Sequence, residues 1–233
     1  MRILTLVLSS DNGEPYSSFE KQIRRYSKSH TNIDYYFYKG HNGPTQLIGD
    51  TLYLNCDDSL KGIYRKTILA FRYFEPMLDN YDFVFRPNLS SFIVLNRYYT
   101  VMKVLPKIEM CAAVIGEDSG ISFPSGAAFT MSIDLVKRLC KEDTENPPFS
   151  QENDDLNIGF HLKNYEIPII PVQRADVEDG KTAIEIWKEF PSAFHFRVKT
   201  SDRIKDIELI NRLYSLAYAV SYTHLTLPTN REV

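Results

Sequence analysis

The sequence contains neither a G-x-G-x-x-G run nor a G-x-x-x-x-G-K-[ST] loop, which removes the common dinucleotide and ATP sites. Its three cysteines, Cys56, Cys111 and Cys140, stand far apart. That spacing suits neither a zinc site nor a disulfide framework, and reduced, buried thiols of a cytoplasmic protein are expected instead. No apolar run approaches the length that spans a bilayer, and the opening MRILTLVLSS turns polar at Ser9, too early for a secretory leader. Net charge is small, −3, with Lys and Arg scattered along the chain, so nucleic acid is not an expected partner. There is one tryptophan, Trp187, and no internal repeat or low-complexity segment.

The 233 residues present are enough for one α/β domain with a full core. RILTLVLSS is a continuous apolar run of the kind that forms a strand buried on both faces. Phe19, Ile23 and Tyr26 follow at helical spacing. IDYYFYKG and TLYLNCDD read as strands separated by a turn-rich stretch, 41–50. GIYRKTILAFRYFEPML reads as a helix with a stripe of Ile63, Ile68, Leu69, Phe71 and Phe74, and YDFVFRPN as the next strand. Further on come a turn and helix in SFIVLNRYYTVMKVL, a strand in MCAAVIG, and a Gly- and Ser-rich loop returning to a strand in SGISFPSGAAFTMS. A helix follows in IDLVKRLCKED, then a loop and another helix in ENPPFSQENDDLNIGFHLKNYEI, a short strand in IPIIPVQR, and a loop with a long closing helix. Strand–helix alternation predicts a mostly parallel, mixed sheet flanked by helices, with ligands beyond the carboxyl ends of its strands. Those ends are Ser9-Ser10, Asp57-Asp58 and Arg86 to Ser90.

The final VSYTHLTLPTNREV does not continue this pattern and resembles the translation of a sequencing adapter. A single domain is therefore expected over 1–219, with a non-native tail over 220–233; whether the native C-terminus is present stays open.

Four stretches, in order, carry a resemblance. They are CDDSLKGIYRKTILAFRYF, YDFVFRPNLSSFIVL, FPSGAAFTMSIDLVKRL and ENDDLNIGFHLKNYEI. Together they resemble the GT-A glycosyltransferases, in particular the β-1,3-galactosyltransferase-like group, glycosyltransferase family thirty-one with its microbial and viral relatives. The resemblance implies a GT-A-like domain and an inverting transfer of a sugar from a nucleotide donor, UDP-linked, to a hydroxyl of a glycan or glycolipid. Peripheral membrane contact is compatible with such an acceptor. It places Asp155 as the base that takes the acceptor proton and Asp154 as its orienting neighbour. The residues themselves allow a plainer reading, two acids favouring a helix N-terminus.

On the donor side the resemblance puts Ser9, Ser10, Asp58 and Lys66 around the nucleoside. Ser125 and Gly126 would lie under the donor sugar and beside the acceptor, which they help to bind, where a glycine permits close approach, and Trp187 would stack on an acceptor sugar or pack in the core. Where the group has its metal-binding Asp-x-Asp, this chain has Asn88 and Ser90, neutral oxygens that suit Mn2+ or Mg2+ poorly. Two solutions follow. A metal is held by His195 with the donor phosphates, or Arg86, Lys199 and Arg203 neutralise the diphosphate without one. The rival reading is a catalytically inactive nucleotide- or sugar-binding domain of the same fold.

Overall fold

The computed structural model describes residues 1–28 and 30–218. The expected tail at 220–233 lies outside the described residues.

The chain opens with β1 (Ile3–Leu8), α1 (Tyr16–Ser27) and β2 (Ile33–His41), then β3 (Gln46–Ile48) and β4 (Thr51–Asn55). A 3-10 turn leads into α2 (Ile63–Phe74), followed by β5 (Phe83–Pro87), β6 (Ser91–Ile93) and α3 (Leu95–Met102). β7 (Cys111–Asp118) and β8 (Ile121–Ser132) form a hairpin, and α4 (Ile133–Leu139), α5 (Asp154–Asn164) and β9 (Ile169–Pro171) come next. β10 (Ala175–Val177), α6 (Ala183–Glu189), β11 (His195–Val198) and α7 (Arg203–Tyr218) complete the described fold.

Eight strands form the main sheet in the order β3-β4-β2-β1-β5-β8-β7-β9. β4, β2, β1 and β5 are parallel, and β3 and β8 enter antiparallel. β1 explains the layering. Ile3 and Val7 pack with α1, α3 and α7 on one side, while Leu4 and Leu6 pack with α2, α4 and α5 on the other. A strand buried on both faces must be apolar throughout, which is why its sequence runs rather than alternates. A second sheet of three strands, β10-β11-β6, stands beside the main one.

Four expectations change. The turn-rich stretch 41–50 contains β3, which pairs with β4 through Gln46 to Ile48. SFI is strand β6 rather than a turn before a helix. The loop expected at Ser125-Gly126 is part of the long strand β8. The stripe predicted for α2 is also rotated: Tyr64, Lys66, Thr67, Ile68, Ala70, Phe71 and Phe74 are its buried residues.

Candidate functional site

The parallel strands bring their carboxyl ends to one edge. Ser9 and Ser10 follow β1, Asp58 follows β4, and Lys66 reaches up from the first turn of α2. Asp58 binds them together. Its Oδ2 accepts from Ser10 Oγ at 2.8 Å and the Asp11 N–H at 2.7 Å, and its Oδ1 from Lys66 Nζ at 2.8 Å and the Gly40 N–H at 2.7 Å. Burial alone raises a carboxyl's pKa, but Lys66 and these donors hold Asp58 below the usual carboxylate range. Gly40 is required by the close approach of two backbones: a Cβ there would sit 2.5 Å from the Cys56 carbonyl oxygen. Below this layer Ser9 Oγ donates to Glu20, which pairs with Lys39 at 3.1 Å and Arg24 at 3.0 Å.

Across the cleft, the turn after β5 is held by its own side chains. Asn88 Oδ1 accepts from the Ser90 N–H at 3.0 Å and Ser91 Oγ at 3.2 Å. Ser90 Oγ accepts from Arg203 Nη2 at 2.9 Å. The Arg203 guanidinium lies 4.9 Å from the Phe19 ring centre, donates to the Val198 carbonyl at 3.2 Å and pairs with the buried Asp206. It is therefore fixed in place before any ligand arrives. Lys199 stands exposed next to it, without an ion pair among the described residues.

Between these walls lies a cavity of about 440 Å3. Ser9, Ser10, Asp58, Lys66, Asn88, Ser90, Lys199 and Arg203 all border it. So do Asn12, Tyr16 and Leu60, which sequence reasoning passed over, and Ile63, which it assigned to the apolar stripe of the helix. The signal for Asn12 and Tyr16 was their position just after the first strand end; Leu60 carried none, and its 71% exposure is seen only in the fold.

Arg86 is a correction. It was expected to meet the diphosphate, yet its side chain is fully buried. It pairs with Asp154, donates to the Gly126 carbonyl at 2.6 Å and to Tyr38 Oη at 3.1 Å. The reason is that β5 continues through Pro87 and is covered by β8, with Arg86 opposite Phe129. Burial disfavours the charged guanidinium, but Asp154 and Tyr38 outweigh it, and the Arg86 pKa is raised. Burial pushes the Asp154 carboxyl up against the pull of Arg86.

Asp155 is placed differently from Asp154. It is half-buried at the start of α5. Its Oδ2 accepts from the Gly126 N–H at 3.2 Å and its Oδ1 from the Leu156 N–H at 2.9 Å. The Gly126 carbonyl also accepts from Asn88 Nδ2 at 3.4 Å. Asp155 thus sits one peptide group beyond the cavity wall. A Cβ at Gly126 would lie 3.1 Å from Asp155 Oδ2, so a larger residue would crowd the carboxylate. Ser125, next along, accepts from Arg174 Nη1 at 2.8 Å, a residue that sequence reasoning did not single out.

Two further candidates lie elsewhere. Trp187 stacks on Phe196, ring centres 5.5 Å apart, with the Arg97 guanidinium over the ring at 4.3 Å, and packs half-buried against the core rather than standing as an acceptor platform. His195 is 2% exposed and its Nε2 is engaged with Ser91 Oγ at 2.9 Å. It does not border the cavity, and the ring nitrogen and Asn88 Oδ1 both meet the Ser91 hydroxyl, which occupies the place between them. The donor set fits a divalent cation badly in another way. Asn88 Oδ1 and Ser90 Oγ are both occupied, and the charge of Arg203 stands against Ser90. Among the described residues no group of three or more His, Cys, Asp or Glu is placed to hold a metal.

Burial, with Arg174 and Arg197 nearby, pushes the His195 pKa from 6.5 down to about 3. The folded ring therefore stays neutral while the unfolded one protonates. The stabilisation is complete above the unfolded pKa and is lost as pH falls below it. Between about pH 7 and about pH 5 this residue costs the fold about 2 kcal/mol. Urea unfolding at both values should show that loss in the wild type and a correspondingly smaller pH dependence in His195→Gln. Equal pH dependence in the two would contradict the burial of His195.

No family model matches the sequence, and no curated protein matches it either. Among solved structures, the chain is similar to a glycosyltransferase involved in glycosylation of the major capsid of PBCV-1. The TM-score is 0.53 at 9% identity, over 90% of this chain and 99% of that one. It is also similar to the galactosyltransferase LgtC, solved with donor and acceptor sugar analogues, with a TM-score of 0.48 at 9% identity over 97% and 98%. The fold is that of a GT-A glycosyltransferase. It is a mixed α/β domain with a mostly parallel central sheet flanked by helices, as the strand–helix alternation predicts. No helix among the described residues is long and apolar enough to cross a membrane.

Proposed function

We propose that the chain is an inverting glycosyltransferase that moves a sugar from a UDP-linked donor to a hydroxyl of a glycan or glycolipid, with arginine and lysine in place of a metal. The observation that carries this is the cavity that Ser9, Asp58, Asn88 and Arg203 border together at the strand ends. One wall offers serines, Asn12 and the Tyr16 ring to a nucleoside, and the other presents Arg203 and Lys199 to its phosphates. Its size suits a nucleotide.

In the reaction, the acceptor oxygen attacks the anomeric carbon as the carbon–oxygen bond to the diphosphate breaks, and UDP departs with the bonding pair. Asp155 takes the acceptor proton. Arg203 and Lys199 stabilise charge growing on the leaving diphosphate, and Arg203 does so with little reorganisation because it is already clamped. The Gly126 backbone, which has no side chain, is where the donor sugar approaches Asp155. Arg86 serves from below by fixing the Gly126 carbonyl and neutralising Asp154, which leaves Asp155 as the carboxylate able to accept.

The test is Lys199→Ala and Arg203→Gln against a ligand series. Each substitution should weaken UDP about tenfold, as loss of a charged contact to phosphate does. Uridine, which lacks the phosphates, should bind each variant as it binds the wild type. Equal weakening of uridine and UDP would mean that these residues shape the fold rather than hold the diphosphate.

A further inference from the structure

The small sheet carries positive charge that the donor cavity does not use. On β11 alternate residues share a face, so His195, Arg197 and, just past the strand, Lys199 lie along one row, while Phe196 and Val198 enter the core. Lys199 borders the donor cavity and Arg197 does not. It stands one strand repeat, roughly 7 Å, further on. β10 runs parallel alongside, with Asp176 opposite Arg197 and Arg174 at its start.

Charge in this patch is not balanced. Arg174 donates to Ser125 Oγ at 2.8 Å and from Nε to Asp176 at 3.0 Å. Arg197 comes no nearer to Asp176 than 3.9 Å, beyond hydrogen-bond range. Its Nε is shielded from solvent and has no hydrogen-bond partner among the described residues. Two guanidiniums thus share one carboxylate, and Asp176 is itself 42% exposed. Ser125, which anchors Arg174, directly precedes the Gly126 N–H that Asp155 holds.

We propose that Arg174 and Arg197 form an anion subsite of the acceptor, and that the acceptor is a sugar carrying a phosphate or carboxylate near the hydroxyl that is glycosylated. This rests on the reading of Asp155 as the base. The guanidinium fork matches either anion in two parallel hydrogen bonds. Arg197 is 33% exposed and comes only to 3.9 Å from Asp176, so its outer N–H groups remain for an anion that a neutral sugar does not supply. Arg174 also holds Ser125, next to the Gly126 N–H that Asp155 accepts, and so lines up the acceptor against the carboxylate.

The experiment uses the full chain with saturating UDP. Methyl β-galactoside, galactose 6-phosphate and methyl glucuronide are titrated and followed by calorimetry or by NMR line broadening. At least one anionic sugar should bind about tenfold more tightly than the neutral one, and the one preferred separates phosphate from carboxylate. Arg197→Gln should abolish the preference and leave UDP affinity as it was. Equal binding of all three sugars, or a preference that survives Arg197→Gln, overturns the inference. A preference for UDP-glucuronate over UDP-glucose that Arg197→Gln removes would assign the anion to the donor and overturn the acceptor assignment. UDP binding without any anion preference defeats this inference alone. Anion preference without UDP binding supports the anion subsite and defeats the donor reading instead.

Discussion

Asp155→Asn is expected to lower the rate of sugar transfer by about 1000-fold, within the range for losing a general base, while UDP binds as to the wild type. The two oxygens of Asp155 meet one N–H each, from Gly126 and Leu156. That leaves lone pairs free to accept an acceptor hydroxyl. Asparagine keeps the shape but replaces one oxygen with a donor, so the proton has nowhere to go. The effect should be on kcat, because Asp155 lies a peptide group beyond the cavity lined by Arg203 and Asp58. Transfer assays beside UDP titration of the same variant check this. A loss of UDP affinity in step with activity would show that Asp155 supports the donor site rather than the proton transfer.

Arg86→Met is expected to cost the fold about 3–5 kcal/mol, the range for breaking a buried ion pair by removing one partner. It leaves Asp154, itself nearly solvent-free, without its counter-charge, and strips donors from the Gly126 carbonyl and Tyr38. The double variant Arg86→Met with Asp154→Leu removes both charges and should recover most of that loss, since an apolar replacement of a buried pair is often close to neutral. Urea unfolding of wild type, single and double variants gives the comparison. A single variant as stable as the wild type would mean that Arg86 is not buried as described, and would reopen its role against the phosphates.

These two residues also show where sequence reasoning succeeds and where it stops. β1, β2, β4 and β5 are legible because strands buried on both faces must be apolar runs, and α1 because Phe19, Ile23 and Tyr26 share one face. The strand ends then locate Ser9, Ser10, Asp58, Asn88 and Ser90, and these do border one cavity. Arg86 was read as a free cation because it follows an apolar run. Only the antiparallel partner β8, more than 40 residues later, shows that it is enclosed. The small sheet was invisible for a similar reason. Its strands are short, and they pair residues 91–93, 175–177 and 195–198 across long separations, so no local period marks them. With β10 and β11 unseen, Arg174 and Arg197 read as scattered surface charges, and nothing in the sequence separated His195 as a metal ligand from His195 as an ordinary half-buried ring.

The central claim is a nucleotide-sugar site that holds its diphosphate without a metal. It is met most directly by calorimetric titration of UDP, GDP, ADP and CDP into the full chain, once with chelator and once with Mn2+. UDP should bind with chelator present, with an affinity that Mn2+ does not improve, because Arg203 and Lys199 already supply the positive charge. Binding of UDP that appears only with Mn2+ would contradict the metal-free site, and failure of every nucleotide under both conditions would contradict the donor site itself.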